Sequence, residues 1–324
     1  MYTLLEARNL VEKHIQNYSI PENPPELYEP VRYVLSMGGK RIRPALVLLA
    51  CDLFNGAIEM ALMPAMAIEI FHNFTLLHDD IMDRSELRRG HETVHLRNGE
   101  NVAILSGDVM SILACRLMNQ SPGAVLQTVQ EVFTHTAMQV CEGQQMDMNF
   151  EEDLHVSEDQ YLQMIHLKTA VLIAGSLKIG ALLGGASDKD AEDLYVFGRN
   201  LGMAFQLQDD LLDTYGQPDV TGKKRGTDIV DNKKTYLVIE ALEKASAEQR
   251  EELTDWLTRK QFDSEEKIAA VTALFDDLNI RECTEEKIRH FYKEALSSLE
   301  HLNRPEESKL ELKNFASYLM NRNK

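Results

Sequence analysis

Twice in this chain, aspartates in the spacing DDxxD interrupt an apolar stretch. The first copy reads Leu76-Leu77-His78-Asp79-Asp80-Ile81-Met82-Asp83, and the second Gln206-Leu207-Gln208-Asp209-Asp210-Leu211-Leu212-Asp213. On a helix, the first and last aspartates of such a motif stand at i and i+4, one turn apart on one face. Two like charges repel there, and apolar neighbours make the repulsion worse. A chain that does this twice has a cation to place between the carboxylates. Oxygen-only ligands favour a hard ion, and magnesium typically binds through one or two carboxylates plus substrate phosphates.

Helical period runs through the rest of the chain. Leu4, Leu5, Val11 and Ile15 open one helix, and the proline cluster Pro21, Pro24, Pro25 and Pro30 then breaks the chain. Val31 to Met37 reads as helix up to a turn at Gly38-Gly39. Pro44 suits the first turn of the next helix, and Pro64 is expected to open the long apolar helix that ends in the first acidic motif. Residues 84–99 read as a loop or short helix. Further helices are expected near 102–120, 124–149, 159–183 and 189–215, then a loop over 216–231 and charged amphipathic helices to the end. No alternating strand pattern with hairpin turns is evident. The expected fold is all-α, a helical bundle.

The 324 residues, 44% of them hydrophobic, suffice for a sizeable core, and no linker divides them. One domain over 1–324 is therefore expected. A formal net charge of −18 argues against nucleic acid and against anionic membrane surfaces as partners. An anionic substrate must then be met by local basic clusters or by metal. Cys51, Cys115, Cys141 and Cys283 show no metal-ligand spacing and read as free thiols in a reducing compartment, so a cytoplasmic location is expected. The segment 170–183, interrupted by Lys178, reads as a buried helix too short to span a membrane, so no integral membrane segment is expected.

Such basic clusters are present. Gly38-Gly39-Lys40-Arg41-Ile42-Arg43-Pro44 joins two glycines, which let a loop approach a ligand, to three cations; the plainer reading is an exposed basic turn. Arg88-Arg89-Gly90 follows the first acidic motif. His72 lies two turns before Asp79 on nearly the same face, as a structural residue or a phosphate donor. Lys168-Thr169 sits in an apolar helix, where a lysine needs an anion or must reach the surface. The second acidic motif is followed by Gly222-Lys223-Lys224-Arg225-Gly226-Thr227-Asp228 and by Lys233-Lys234-Thr235. Acidic residues followed by basic ones, twice over, fit a diphosphate gripped by metal on one side and cations on the other.

Taken in order, GGKRIRP, HNFTLLHDDIMD with RRG, EGQQMD (Glu142 to Asp147), KT, FQLQDDLLD, GKKRGTD and KKT resemble a trans-isoprenyl diphosphate synthase of the polyprenyl synthetase family. The resemblance implies a homodimeric helical bundle whose motifs face each other across a central cavity. It implies magnesium as cofactor, three ions per active site with substrate bound. The aspartates Asp79, Asp80, Asp83, Asp209, Asp210 and Asp213 match the metal positions, with Asp79, Asp83 and Asp209 as direct ligands. Lys40, Arg43, His72 and Arg89 match positions that hold isopentenyl diphosphate. Arg88, Lys168, Thr169, Gln206, Lys223 and Lys233 match positions that hold the allylic diphosphate.

The resemblance also bears on product length. The product is expected to grow along the helix before the first motif, so Phe74, five residues before Asp79, with Phe71 and Thr75 beside it, would floor the tunnel. An aromatic at that position and the absence of a two-residue insertion in the first motif resemble the type that makes twenty-carbon geranylgeranyl diphosphate, with fifteen-carbon farnesyl diphosphate next. A terpene cyclase would need only one DDxxD. A non-catalytic subunit would be expected to have lost some of these aspartates or cations, and all are present.

Overall fold

A computed structural model describes residues 2–153, 155–216 and 225–320. As expected from its periodicity, the chain is almost entirely helical. In order come α1 (Leu4–Asn17), α2 (Pro25–Ser36), α3 (Ile42–Leu53), α4 (Ile58–Met82), a hairpin of β1 (Leu87–Arg88) and β2 (His91–Glu92), α5 (Val94–Asn98), α6 (Glu100–Met118) and α7 (Leu126–Glu152). Then follow α8 (Glu158–Ile165), a π-helical turn at His166–Ala170, α9 (Val171–Leu183), α10 (Asp188–Tyr215) and the short α11 (Thr227–Val230). The last helices span Tyr236–Lys244, Ala247–Thr258, Ser264–Asp277, Ile280–Glu300 and Glu306–Met320. Several starts are written in the sequence. Thr3 with Glu6, Ser157 with Gln160, and Ser246 with Gln249 each close a capping box, satisfying backbone N–H groups that the first turn leaves open.

The contacts group the chain into two compact units. One comprises Met1–His135, Gly175–Tyr195 and Leu302–Leu312. Its centre is α3, where every residue from Pro44 to Cys51 is buried. Helices α1 and α4 pack on it, and α6 packs along α4. A Cβ on Gly180 would lie 2.2 Å from the Val47 carbonyl oxygen, so only glycine allows that backbone against α3. The other unit comprises Thr136–Ala174, Val196–His301 and Lys313–Lys324. Its core gathers Tyr161, Leu207, Leu211, Leu237, Val271 and Phe275, among others.

Three expectations need correction. Pro64 does not open α4, which begins at Ile58 and carries the proline inside it. Pro30 likewise lies within α2 rather than before it. Each removes a backbone donor from its helix, and burial of the proline and its apolar neighbours offsets that loss. Third, residues 84–99 include an antiparallel hairpin pairing Leu87 with Glu92 and Arg88 with His91. Its strands are two residues each, too short to show alternation in the sequence. The helical run expected over 159–183 spans Glu158–Leu183 and is, among the described residues, one of three segments long and apolar enough to cross a membrane by length and composition. The others are Ile58–Met82 and Glu100–Met118. Burial inside the protein reaches 78% and 67% of the relevant windows in Glu158–Leu183 and Ile58–Met82, which accounts for their apolar character, but only 44% in α6.

Candidate active site

The first acidic motif closes α4. Asp79 and Asp80 lie in the last helical turn, and Asp83 is the C-cap, its N–H donating to the Asp79 carbonyl at 2.8 Å. The hairpin then folds back over this end. Its two-residue turn is Arg89-Gly90, with φ of 54° and 78°. Positive φ at both positions is what a type I′ hairpin turn requires, and it explains the glycine. The hairpin brings Arg88 Nε within 2.8 Å and Nη2 within 2.5 Å of Asp80 Oδ1, and Nη2 within 3.7 Å of Asp79 Oδ2. Asp80 is buried, which raises its carboxyl pKa, and the Arg88 guanidinium opposes that rise.

Arg89 reaches the glycine loop, where Nη1 donates to the Gly38 carbonyl. Its guanidinium lies flat against Gly39, where an added Cβ would come within 2.9 Å of Nη1. From the first turn of α3, which follows that loop, Arg43 Nη1 lies 3.1 Å from His72 Nε2. Desolvation, then the charges of Arg43, Arg89, Arg88 and Arg41, hold the His72 pKa well below its usual value. The imidazole is neutral and accepts from Arg43, so it orients that guanidinium. Lys40 is exposed. Four arginines thus surround one neutral histidine in a chain with a net charge of −18. Asn73, Leu77, Asp80, Arg88 and Arg89 line a small cleft here.

Arg41 departs from its neighbours. Its backbone is left-handed, with φ 47°, and it turns inward to 3% exposure. Its guanidinium meets Glu12 at 2.8 Å, Glu69 at 2.6 Å and the Leu35 carbonyl at 2.8 Å, and Asn73 supports Glu69 at 3.0 Å. The sequence did carry a signal for Glu69, a lone charge in the apolar run from Ala65 to Phe71. Arg41 therefore anchors the junction between the loop that carries Lys40 and the first turn of α3 that carries Arg43.

In the second unit, α10 carries Gln206, Asp209, Asp210 and Asp213. Asp210 is buried, at 2% exposure, and that burial raises its pKa. Both of its oxygens are engaged: Tyr161 donates to Oδ2, and Gln206 Nε2 donates to Oδ1 at 3.1 Å. Asp213 accepts from the Thr227 hydroxyl and from the Asp228 N–H at 3.0 Å, so it caps α11. Asp209 is half-buried. Thr169 Oγ1 donates to Gln206 Oε1 at 3.0 Å, and Lys168 Nζ lies 2.5 Å from Asp147 Oδ2. Lys168 and Thr169 sit in the π-helical turn, a distortion common at functional sites. Two glycines let neighbouring helices close on that turn. A Cβ at Gly143 would lie 2.2 Å from the Lys168 backbone nitrogen, and one at Gly202 would lie 2.6 Å from Ala170 Cα. Lys233 stands 4.0 Å from Asp228, whereas Lys234 is buried and donates to backbone carbonyls. Lys223 lies outside the described residues.

Sequence reasoning did not single out Tyr161, since nothing in its helix marks it. The lysine needing an anion found one in Asp147 of EGQQMD. The donor set fits a hard divalent cation: each motif offers carboxylate oxygens alone, and burial of Asp80 and Asp210, with the bonds Asp213 makes to α11, leaves Asp79, Asp83 and Asp209 the more accessible ligands.

A helical fold with two such carboxylate sites, each beside a basic cluster, defines a class of diphosphate-handling enzymes. Residues 24–275 match the family described as Polyprenyl synthetase. The chain belongs to that family and is a trans-prenyltransferase. It is 46% identical to a geranylgeranyl diphosphate synthase of Methanosarcina mazei over 68% of this chain and 69% of that one. It is 38% identical to the geranylgeranyl diphosphate synthase of Sulfolobus acidocaldarius, over 91% and 89% of the two chains. A crystal structure of a geranylgeranyl pyrophosphate synthase superposes over 100% of both chains with a TM-score of 0.95 at 40% identity.

Proposed function

We propose that the protein condenses isopentenyl diphosphate with allylic diphosphates, in a magnesium-dependent reaction, to give geranylgeranyl diphosphate as the main product and farnesyl diphosphate next. The observation that carries this reading is the type I′ hairpin that sets Arg88 and Arg89 between the first aspartate motif and the glycine loop. The similarity to two geranylgeranyl diphosphate synthases supports the product.

In this reading Lys40, Arg43 and Arg89 take the diphosphate of isopentenyl diphosphate, with His72 holding Arg43 in place. Arg88, Lys168, Lys223 and Lys233 take the allylic diphosphate, and Thr169 and Gln206 fix the polar edge beside it. Magnesium, three ions with substrate present, would be held by Asp79, Asp83 and Asp209. Asp80, Asp210 and Asp213 serve these sites through the bonds that brace the helix ends. When bound there, the metal would supply neutralisation of the charge that builds on the departing diphosphate. The arginines and lysines add to that stabilisation and hold the two substrates in line, which supplies much of the acceleration. The allylic C–O bond ionises, the isopentenyl double bond attacks the cation, and the released diphosphate takes the proton. Apolar walls keep water from the cation.

The whole chain acts as one catalytic domain in this reading, in the cytoplasm and as a homodimer. The open face of α6 supports the dimer. Leu105 is 56% and Ile112 65% exposed, seven residues apart on one side of the helix.

The test supplies purified protein with magnesium, labelled isopentenyl diphosphate and allylic primers of increasing length. Geranylgeranyl diphosphate as the dominant product is expected. A cyclic hydrocarbon formed without isopentenyl uptake, or turnover only after a second polypeptide is added, would reject the proposal.

A further inference from the structure

The aromatic residues upstream of the first aspartate motif rest on a contact that no motif marks. His78, the residue before Asp79, lies against Gly107 of α6. A Cβ on Gly107 would stand 2.2 Å from His78 Nε2 and 2.5 Å from Cδ2. The imidazole therefore fills the space a side chain would take. Its Nε2 lies 3.1 Å from the Ile104 carbonyl, so an Nε2–H donor pins the ring onto α6. The ring also meets Phe74 edge to face, with centroids 4.8 Å apart. Phe74 leans on Phe71 at 5.5 Å, and Phe71 meets Phe133 edge-on at 5.5 Å.

These contacts form a relay with a fixed end and an adjustable one. Phe71 is buried and backed by Phe133, whereas Phe74 and His78 are half-buried. Phe74 is thus held on one side by a buried aromatic and on the other by an imidazole whose depth depends on residue 107. Carbon contacts are optimal near 3.5–4.0 Å, so any side chain at 107 must displace the ring by about 1 Å or more. The ring then leaves the Ile104 carbonyl and presses on Phe74, because close-packed side chains pass such a shift to the next neighbour.

We infer that Gly107 and His78 are a positioning pair that sets product length. The glycine lets the imidazole sink onto α6, and the imidazole sets how far the Phe74 ring reaches toward the growing prenyl chain. This rests on the reading of Phe74 as the floor of the elongation tunnel.

The test compares four variants of the full chain, Gly107→Ala, His78→Ala, the double variant and Phe74→Ala, under the assay above with chromatography of the dephosphorylated prenols. Gly107→Ala is expected to shift the main product from geranylgeranyl to farnesyl. His78→Ala and Phe74→Ala are expected to extend it beyond geranylgeranyl. The double variant is expected to match His78→Ala, since the glycine acts only through the imidazole. A Gly107→Ala enzyme with unchanged products, while Phe74→Ala lengthens them, overturns the pair and leaves the floor standing. Unchanged products from Phe74→Ala remove the floor and the relay with it. If Gly107→Ala fails to fold, unchanged products from His78→Ala overturn the inference by themselves. Loss of stability alone lowers yield without moving the product ratio.

Discussion

Arg88 donates through both Nε and Nη2 to a single oxygen of Asp80, at 2.8 and 2.5 Å. That fork ties the hairpin to the end of α4, and it opposes the rise that burial gives the Asp80 pKa. Arg88→Met removes the partner and leaves Asp80 buried with its charge unmatched, at a cost of about 1–3 kcal/mol. Arg88→Lys keeps the charge and loses the fork. Thermal unfolding is expected to show a lower midpoint for Arg88→Met, and both variants are expected to raise KM for the allylic substrate. An unchanged KM in both would place Arg88 outside the substrate site.

The accessible carboxylates carry the metal in the proposed mechanism. Asp79→Ala and Asp209→Ala are each expected to lower kcat by roughly 10²–10³-fold or more, the scale of losing a preorganised electrostatic contact. Circular dichroism is expected to stay helical. Loss of helicity along with activity would mean that the aspartates hold the fold instead.

His72 couples stability to pH. Its folded pKa lies well below the ordinary 6.5, because desolvation and then Arg43, Arg89, Arg88 and Arg41 oppose protonation. In the window between the two values the unfolded chain binds a proton that the folded chain does not. Stability then falls as pH drops below about 6.5 and is fully present above it. Unfolding midpoints measured from pH 5 to 8 are expected to show this slope, and His72→Gln is expected to flatten it. A slope equal in both proteins would assign it to other groups.

Arg41 and Glu69 form a buried pair, with side chains 2% and 3% exposed. Arg41→Met leaves Glu69 charged in the core and is expected to cost about 3–5 kcal/mol, as broken buried pairs do. Denaturant titration measures this directly. The double variant Arg41→Met with Glu69→Gln is expected to recover part of the loss.

Gly143 lets α7 approach the π-helical turn, where a Cβ would lie 2.2 Å from the Lys168 nitrogen. The neighbour is backbone and cannot swing aside. Gly143→Ala is expected to cost about 1–3 kcal/mol as an overpacked contact. It is also expected to raise the allylic KM by moving Lys168, and steady-state kinetics beside a stability measurement tests both.

Much of this was legible in the residues themselves. The 3.6-residue period of the apolar positions determined an all-α fold, because that spacing buries one face only on a helix. The acidic and basic motifs marked Asp79, Asp209, Arg43, Arg88 and Lys168 because charge in apolar company must have a partner. Local chemistry could not say which partner. GGKRIRP offers three similar cations, and tertiary packing alone sent Arg41 inward to Glu69 while Lys40 stayed exposed and Arg43 met His72. Each DDxxD offers similar carboxylates, and only long-range neighbours, Tyr161 and Arg88, set Asp210 and Asp80 apart. The hairpin was invisible because two-residue strands have no period, and the packing on the π-helical turn because Gly143 and Gly202, which close on it, lie on other helices. The sequence by itself determined the helices and the kinds of groups at the site. The tertiary structure decided which of those groups are spent holding the fold and which remain for substrate in the proposed mechanism, because that choice depends on burial and on partners far apart in the chain.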